Sequence, residues 1–167
     1  MKITLDTNMV VSGIFWKGDP HKILNFVANG ELENITSKEI FDEHEDVCFR
    51  DEILDKTGKD LKDIKNSLDE LKKHSKFVKP KQGFDGVKDD PKDNKFLDAA
   101  YEGKSEYIVT RDKHLLKLKD FKGIEIVKPE YFLDNEAANI TPDFVINAPK
   151  GTFIIKAKKG ELPKGNH

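Results

Sequence analysis

Lys2-Ile3-Thr4-Leu5-Asp6-Thr7-Asn8 is the stretch that decides how this chain is read. Ile3 and Leu5 alternate with polar neighbours around the β-branched Thr4, the period of a short strand, and the strand runs straight into the carboxylate of Asp6. In a parallel α/β sheet the carboxyl ends of the strands are where ligands and catalytic groups gather, because the loops there vary freely above strands that hold them in place. One Asp at such an edge carries little by itself. The weight lies in whether other acidic residues reach the same edge.

Working outward, Met9 to Trp16 is mostly apolar and Lys17-Gly18-Asp19-Pro20 breaks the chain. Ile23, Leu24 and Val27 then recur at helical spacing over His21 to Asn29, with Gly30 as the stop. Glu33 to Thr36 reads as a second strand around Ile35, and Thr36-Ser37-Lys38-Glu39 as a capping box. The helix it opens, about Ser37 to Arg50, places Ile40, Phe41, His44, Val47 and Cys48 on one face. Leu61, Ile64, Leu68 and Leu71 predict an amphipathic helix from Asp60 to His74. Phe77-Val78 reads as a short strand and Lys81 to Asp90 as a loop. Asp90-Pro91 then starts a helix with a buried stripe of Phe96, Leu97, Ala100 and Tyr101, ended by Gly103. Tyr107 to Thr110 and Ile124 to Val127 read as strands, Lys113 to Leu118 as a short helix, and Pro129 to Leu133 as one helical turn.

Strand and helix in alternation predict an α/β fold, a central parallel sheet with helices on both faces. The expected organisation is one α/β domain over residues 1–134 and a C-terminal extension over 135–167. In the extension, Phe144-Val145-Ile146 and Phe153-Ile154-Ile155 flank Asn147 to Gly151 as a β-hairpin ahead of a Lys-rich end.

At 167 residues the chain suffices for one domain with a real core, burying about two-thirds of its unfolded surface. Its 29 basic and 31 acidic side chains leave a net charge of −2, so a polyanion would have to be held by a local basic patch or through metal. The single cysteine, Cys48, excludes an internal disulfide and a cysteine-based zinc cluster. No apolar run approaches the ~20 residues of a membrane span, and the N-terminus lacks a signal-peptide pattern, so the expected location is the cytoplasm, away from membranes.

Three later acidic positions converge on the edge that Asp6 occupies. Glu43 sits at the border of the third helix's buried stripe, Asp93 lies one turn before Phe96 and Leu97, and Asp112 directly follows the Tyr107 to Thr110 strand. The helical wheel gives Glu45 the opposite border of the same stripe, and periodicity does not choose between it and Glu43. Two of them also have a structural reading: Asp93 as the reciprocal half of a cap with Asp90, Asp112 as the cap of the helix from Lys113.

Leu5-Asp6-Thr7-Asn8 with the apolar run behind it, Ser37 followed by Glu43, Asp90-Pro91-Lys92-Asp93-Asn94-Lys95-Phe96-Leu97, and Tyr107-Ile108-Val109-Thr110-Arg111-Asp112 together resemble the PIN-domain nucleases. Within that family they look most like the branch of toxin–antitoxin toxins related to the VapC ribonucleases. The match runs from about Lys2 to Leu133. The resemblance implies a PIN-like α/β/α sandwich, and a catalytic metal site made of Asp6, Glu43, Asp93 and Asp112, which selects Glu43 over Glu45. It implies RNA as substrate, a cognate antitoxin as partner and a homodimer. Structure-specific DNA cleavage and a non-catalytic binding or assembly role are the alternatives within the same fold.

The residue types supply the chemistry. Carboxylate oxygens suit Mg²⁺ or Mn²⁺, which would activate water for attack on a phosphodiester. Asn8, Ser37 and Thr110 would support metal waters or the phosphate, with turn or cap hydrogen bonding as their structural reading. Lys92, Lys95, Arg111 and Lys113 flank the acidic positions and would meet phosphates. A phosphatase of the haloacid-dehalogenase type needs a second Asp two residues after the first, where this chain has Asn8. A response-regulator receiver needs a phosphorylatable Asp ending the third strand, and Phe77-Val78-Lys79 offers none.

Overall fold

A computed structural model describes residues 1–140, and the hairpin expected in the extension lies outside them. The strands are β1 (Lys2–Leu5), β2 (Glu33–Thr36), β3 (Ser75–Phe77), β4 (Tyr107–Val109), β5 (Asp120–Phe121) and β6 (Ile124–Val127). They form a six-stranded sheet in the order β3-β2-β1-β4-β6-β5, parallel except for the short antiparallel edge β5. The helices are α1 (Thr7–Phe15), α2 (Asp19–Ala28), α3 (Lys38–Cys48), α4 (Asp51–Thr57), α5 (Leu61–Lys73), α6 (Asn94–Glu102), α7 (Lys113–Leu116) and α8 (Pro129–Ile140). This is the α/β architecture that the alternation of elements predicts. None of the described helices is long and apolar enough to cross a membrane.

Two apolar clusters hold the layers on the sheet. Ile3 and Leu5 of β1 join Val109 and Val127 against α1, α2, α5 and Phe132 of α8, whereas Ile108, Ile124 and Ile126 pack under α6 and Leu115 of α7. The alternation of burial along β4, Ile108 to one cluster and Val109 to the other, is the period of two that puts successive side chains on opposite faces. The covered strands are mostly apolar, as a parallel sheet favours, with Thr4 of β1 and Asn34 and Thr36 of β2 as buried polar members.

The register positions the chemistry. Leu5 pairs with Val109, and Val109 with Val127, so the residues that follow, Asp6 and Thr110, emerge side by side at the carboxyl edge of the two central strands. Order reverses at this point of the sheet, β2 lying on one side of β1 and β4 on the other, which opens the crevice that α/β folds use for ligands.

Several local expectations shift. Ser37, not Thr36, caps α3: its Oγ accepts the Ile40 N–H at 3.3 Å while Thr36 is the last residue of β2. Asp90 makes no capping bond; Pro91–Asp93 forms a 3-10 turn and the α-helix begins at Asn94. Helix α4 has no buried residue and hence no apolar stripe from which it could be read. Helix α8 runs twelve residues rather than the single turn expected, because Phe132, Leu133 and Ile140 continue to find the core.

Candidate active site

Asp6 is the N-cap of α1. Its Oδ1 accepts the Met9 N–H at 2.9 Å, and its Oδ2 accepts the hydroxyl of Thr110 from the neighbouring strand end. The Thr110 Oγ in turn accepts the Asp112 N–H at 2.9 Å, so one threonine ties the ends of β1 and β4 together through the two carboxylate residues. Asp6 is only 3% exposed. Burial pushes its carboxyl up to about 6, against the hydrogen bonds from Thr110 and Met9, and the charges of Asp93 and Asp112 push the same way.

Asp112 caps α7, its Oδ1 accepting the His114 and Leu115 N–H groups at 2.7 and 3.2 Å, so the structural reading holds for one of its oxygens. Asp93 makes no cap, which sets aside its pairing with Asp90. Partial burial, then the neighbouring Asp90 and Asp112, raise its carboxyl to about 6 as well.

Glu43 reaches the same place from α3, where Lys95 of α6 forms an ion pair with it. Burial works against the Glu43 charge, but hydrogen bonds from Lys95 and Thr7 outweigh it and hold the carboxyl below its ordinary range. Thr7 also meets His44 Nδ1 at 2.9 Å. A hydroxyl has one proton, so if Thr7 gives it to Glu43, His44 must donate from Nδ1, leaving Nε2 bare; that atom is buried without a partner. Burial drives the His44 imidazole down to about 4, which keeps it neutral. Thr7 and His44 were not singled out as functional from the sequence; the signal was a histidine on the apolar face one residue after Glu43.

Asp6, Glu43, Asp93 and Asp112 line one cleft of about 540 Å³, together with Asn8, Lys92 and Lys95. Glu45 does not; it lines a separate groove with Phe49 and Glu52. Ser37 lies in the adjoining trough rather than in the cleft. Arg111 is turned to an ion pair with Glu130, and Lys113 is exposed away from the cleft lining. Of the four cations expected beside the site, the fold brings two, Lys92 and Lys95, to it.

Among the described residues, no three His, Cys, Asp or Glu side chains stand assembled as a metal shell. Both oxygens of Asp6 already accept hydrogen bonds, and Glu43 is held by Lys95. The donor chemistry nevertheless fits one ion type: all-oxygen ligands, two of them carboxyls that burial first and neighbouring carboxylates second hold near 6, suit a hard cation that keeps most of its waters and takes one or two carboxylates.

A family model described as the PIN domain matches residues 2–114, a span that contains all four carboxylates. An uncharacterized protein of Methanocaldococcus jannaschii is 31% identical over 121 residues, covering 72% of this chain and 76% of that protein. No solved structure gives a significant match.

Proposed function

This chain belongs to the PIN-domain family, whose members are generally metal-dependent nucleases, and we propose that it is a Mg²⁺- or Mn²⁺-dependent endoribonuclease. The observation that carries the reading is the convergence of Asp6, Glu43, Asp93 and Asp112, from four separate elements, on one cleft. Asp6 and Asp112 also cap helices, but capping does not require four carboxylates around one cleft, and Lys95 offsets their mutual repulsion only in part; a bound cation would relieve the rest.

Asp6, Glu43, Asp93 and Asp112 would hold the ion, Asp6 and Asp112 being tied together through Thr110. The ion supplies Lewis-acid activation of water and charge neutralisation at the phosphate. The residues do the rest. Thr110 fixes the Asp6 carboxylate by hydrogen bonding, so that its free lone pairs keep one direction. Asp93, partly open to solvent, would take the proton of the attacking water as the new phosphorus–oxygen bond forms, and the leaving ribose oxygen would take a proton from solvent as its bond to phosphorus breaks. Lys92 and Lys95 face the phosphate, and Lys95 can exchange Glu43 for a phosphate oxygen as substrate enters.

The resemblance to the VapC branch extends the proposal to a toxin neutralised by a cognate antitoxin, acting in the cytoplasm as a homodimer. Growth arrest on induction, absent with Asp6→Asn, tests the toxin role, and sedimentation tests the dimer. A second reading, a PIN-fold binding or assembly module, draws on the absence of an assembled metal shell among the described residues and on the Lys95 clamp over Glu43.

Cleavage of single-stranded RNA by the purified chain with EDTA, Mg²⁺ or Mn²⁺ decides between them, with single-stranded and flapped DNA as parallel substrates. Asp6→Asn keeps the shape and removes the charge, so it should abolish cleavage. Thermal melts supply an independent readout. An ion that binds only the folded chain stabilises it by roughly 2.7 kcal/mol at ~100 times its dissociation constant. That raises the midpoint by roughly 5 to 10 °C for a domain of this size. The rise should vanish in Asp6→Asn and survive in Glu45→Gln. No cleavage and no rise at saturating Mn²⁺ would leave the binding module as the better reading.

A further inference from the structure

Lys79-Pro80-Lys81-Gln82-Gly83 follows β3 and belongs to no regular element, yet both its ends are fixed. Val78 donates its N–H to Thr36 O at 2.9 Å, so the segment leaves the sheet at the carboxyl end of β2. Beyond it, the Phe84 N–H donates to Asp98 Oδ1 at 2.8 Å, and the Phe84 ring packs edge-on against Tyr101 and Phe121. A loop pinned by backbone at one end and by a ring in an aromatic cluster at the other presents its lysines at a set place.

The place is one wall of a trough of about 490 Å³, with the start of α3 and Lys95 of α6 opposite. Four lysines and two carboxylates line it, Lys38, Lys79, Lys81 and Lys95 against Glu39 and Asp98. Asp98 is occupied by the Phe84 N–H, and Lys79 and Lys81 make no ion pair among the described residues. Lys38 is paired with Asp42 and Lys95 with Glu43, so the uncompensated positive charge of the trough is carried by Lys79 and Lys81, which face the concavity from its loop wall. Lys95 lines both this trough and the acidic cleft, so the two adjoin at its side chain.

We propose that the trough between Lys38 and the Lys79-Pro80-Lys81 segment carries the single-stranded RNA backbone on one side of the scissile phosphate and leads it across Lys95 into the acidic cleft. The proposal rests on the nuclease reading and extends it. An acidic cleft repels a polyanion, so a chain with no global positive charge needs an adjoining basic path to hold the strand until a metal ion offsets the cleft. A volume of this size holds a ligand of one or two nucleotides, which favours a single strand over a duplex.

The test is binding of a labelled single-stranded RNA oligonucleotide to the full chain in EDTA, followed across a salt series. Lys79→Glu with Lys81→Glu should weaken binding at least about tenfold and lower the log–log salt slope by about 1.4, near 0.7 for each phosphate no longer neutralised. The charge-matched control, Lys56→Glu with Lys62→Glu on the exposed faces of α4 and α5, should bind as wild type. Equal loss in both pairs, no loss in the first, no binding by wild type, or equal competition by duplex RNA overturns the proposal. Melting of each variant with and without Mn²⁺ shows that the fold and the metal response persist. Cleavage is scored separately: trough-dependent binding without cleavage in any metal sinks the nuclease reading alone, whereas cleavage with an unchanged KM in the trough variant sinks the trough alone.

Discussion

Lys95 closes an ion pair on Glu43, binding α6 to α3 across the mouth of the acidic cleft. Read from sequence, these two residues have separate tasks, one on phosphate and one on metal. In the fold they satisfy each other. The lysine supplies a positive charge inside the cleft, and Asp93 feels it too, as the main attraction opposing the raised state of its carboxyl.

Lys95→Met should therefore have two opposite effects. Without metal, the cleft loses its internal counter-charge, and stability should fall by about 1 kcal/mol, the upper end for an exposed pair because Lys95 is nearly enclosed. With Mn²⁺, Glu43 is free, and the ion-induced rise in melting midpoint should exceed that of wild type. Melts in EDTA and in a Mn²⁺ series check both. A smaller rise than wild type would show that the lysine supports the metal site rather than competing with the ion.

Thr110→Val keeps the shape of the side chain and removes the hydroxyl that serves both Asp6 and the Asp112 N–H. Leaving a buried carboxylate and a backbone donor unmatched costs about 1 to 3 kcal/mol. The Asp6 carboxyl should move up from about 6, since its largest compensating bond is gone. Thr110→Ser retains the hydroxyl and should stay close to wild type. Urea unfolding and carboxyl titration by NMR measure the two quantities, and a Val variant indistinguishable from Ser would remove Thr110 from the site.

The metal-free chain should show opposing pH dependences. Asp6 and Asp93 are raised to about 6 in the fold, so their contribution is full below the ordinary aspartate value of 3.8 and is lost as pH rises through 6. His44, driven down to about 4, contributes in the reverse sense, present above its ordinary 6.5 and lost as pH falls through 4. His44→Gln removes the imidazole's contribution, and above about pH 5 the lowered Glu43 is ionised in the folded and unfolded chain alike, so in EDTA the stability of this variant should fall between about pH 5 and pH 7 by roughly 1 to 2 kcal/mol, mostly from Asp6 because Asp93 is half in water. Saturating Mn²⁺ should reverse the slope, since the ion binds only after the protons leave. A flat profile for this variant in EDTA would mean that the carboxyls are not raised.

Cutting the chain after Asp134 should cost more than cutting it after Ile140. The shorter product loses Ile140 from the core and the hydrogen bond from the Tyr107 hydroxyl to Glu136 Oε1, 2.6 Å long, that ties α8 to β4. Partial burial of one isoleucine is worth about 1 to 2 kcal/mol. Equal melting midpoints for the two truncations would show that the second half of α8 contributes nothing to the domain.

The sequence by itself determined the layers of this protein. Alternation in Lys2 to Leu5, the apolar stripe of Leu61, Ile64, Leu68 and Leu71, and the turn signals between them report local burial, and burial repeats at two or 3.6 residues whatever the partner across the core. It also put Asp6 and Asp112 at strand ends, because a strand's end is a local event. It missed α4 and β5, which bury too little to leave a period, and it cut α8 short, since the later contacts of that helix lie with residues distant in the chain. Whether Glu43 or Glu45 meets Asp6 was open on the helical wheel, and the resemblance, not the period, chose between them. What only the tertiary structure decided is which side chains satisfy one another: Thr110 on Asp6, Lys95 on Glu43, His44 on Thr7, and Arg111 turned away to Glu130. Those pairings join residues up to 104 positions apart, and a contact of that kind follows from strand register and helix crossing, quantities that no local pattern of residues encodes.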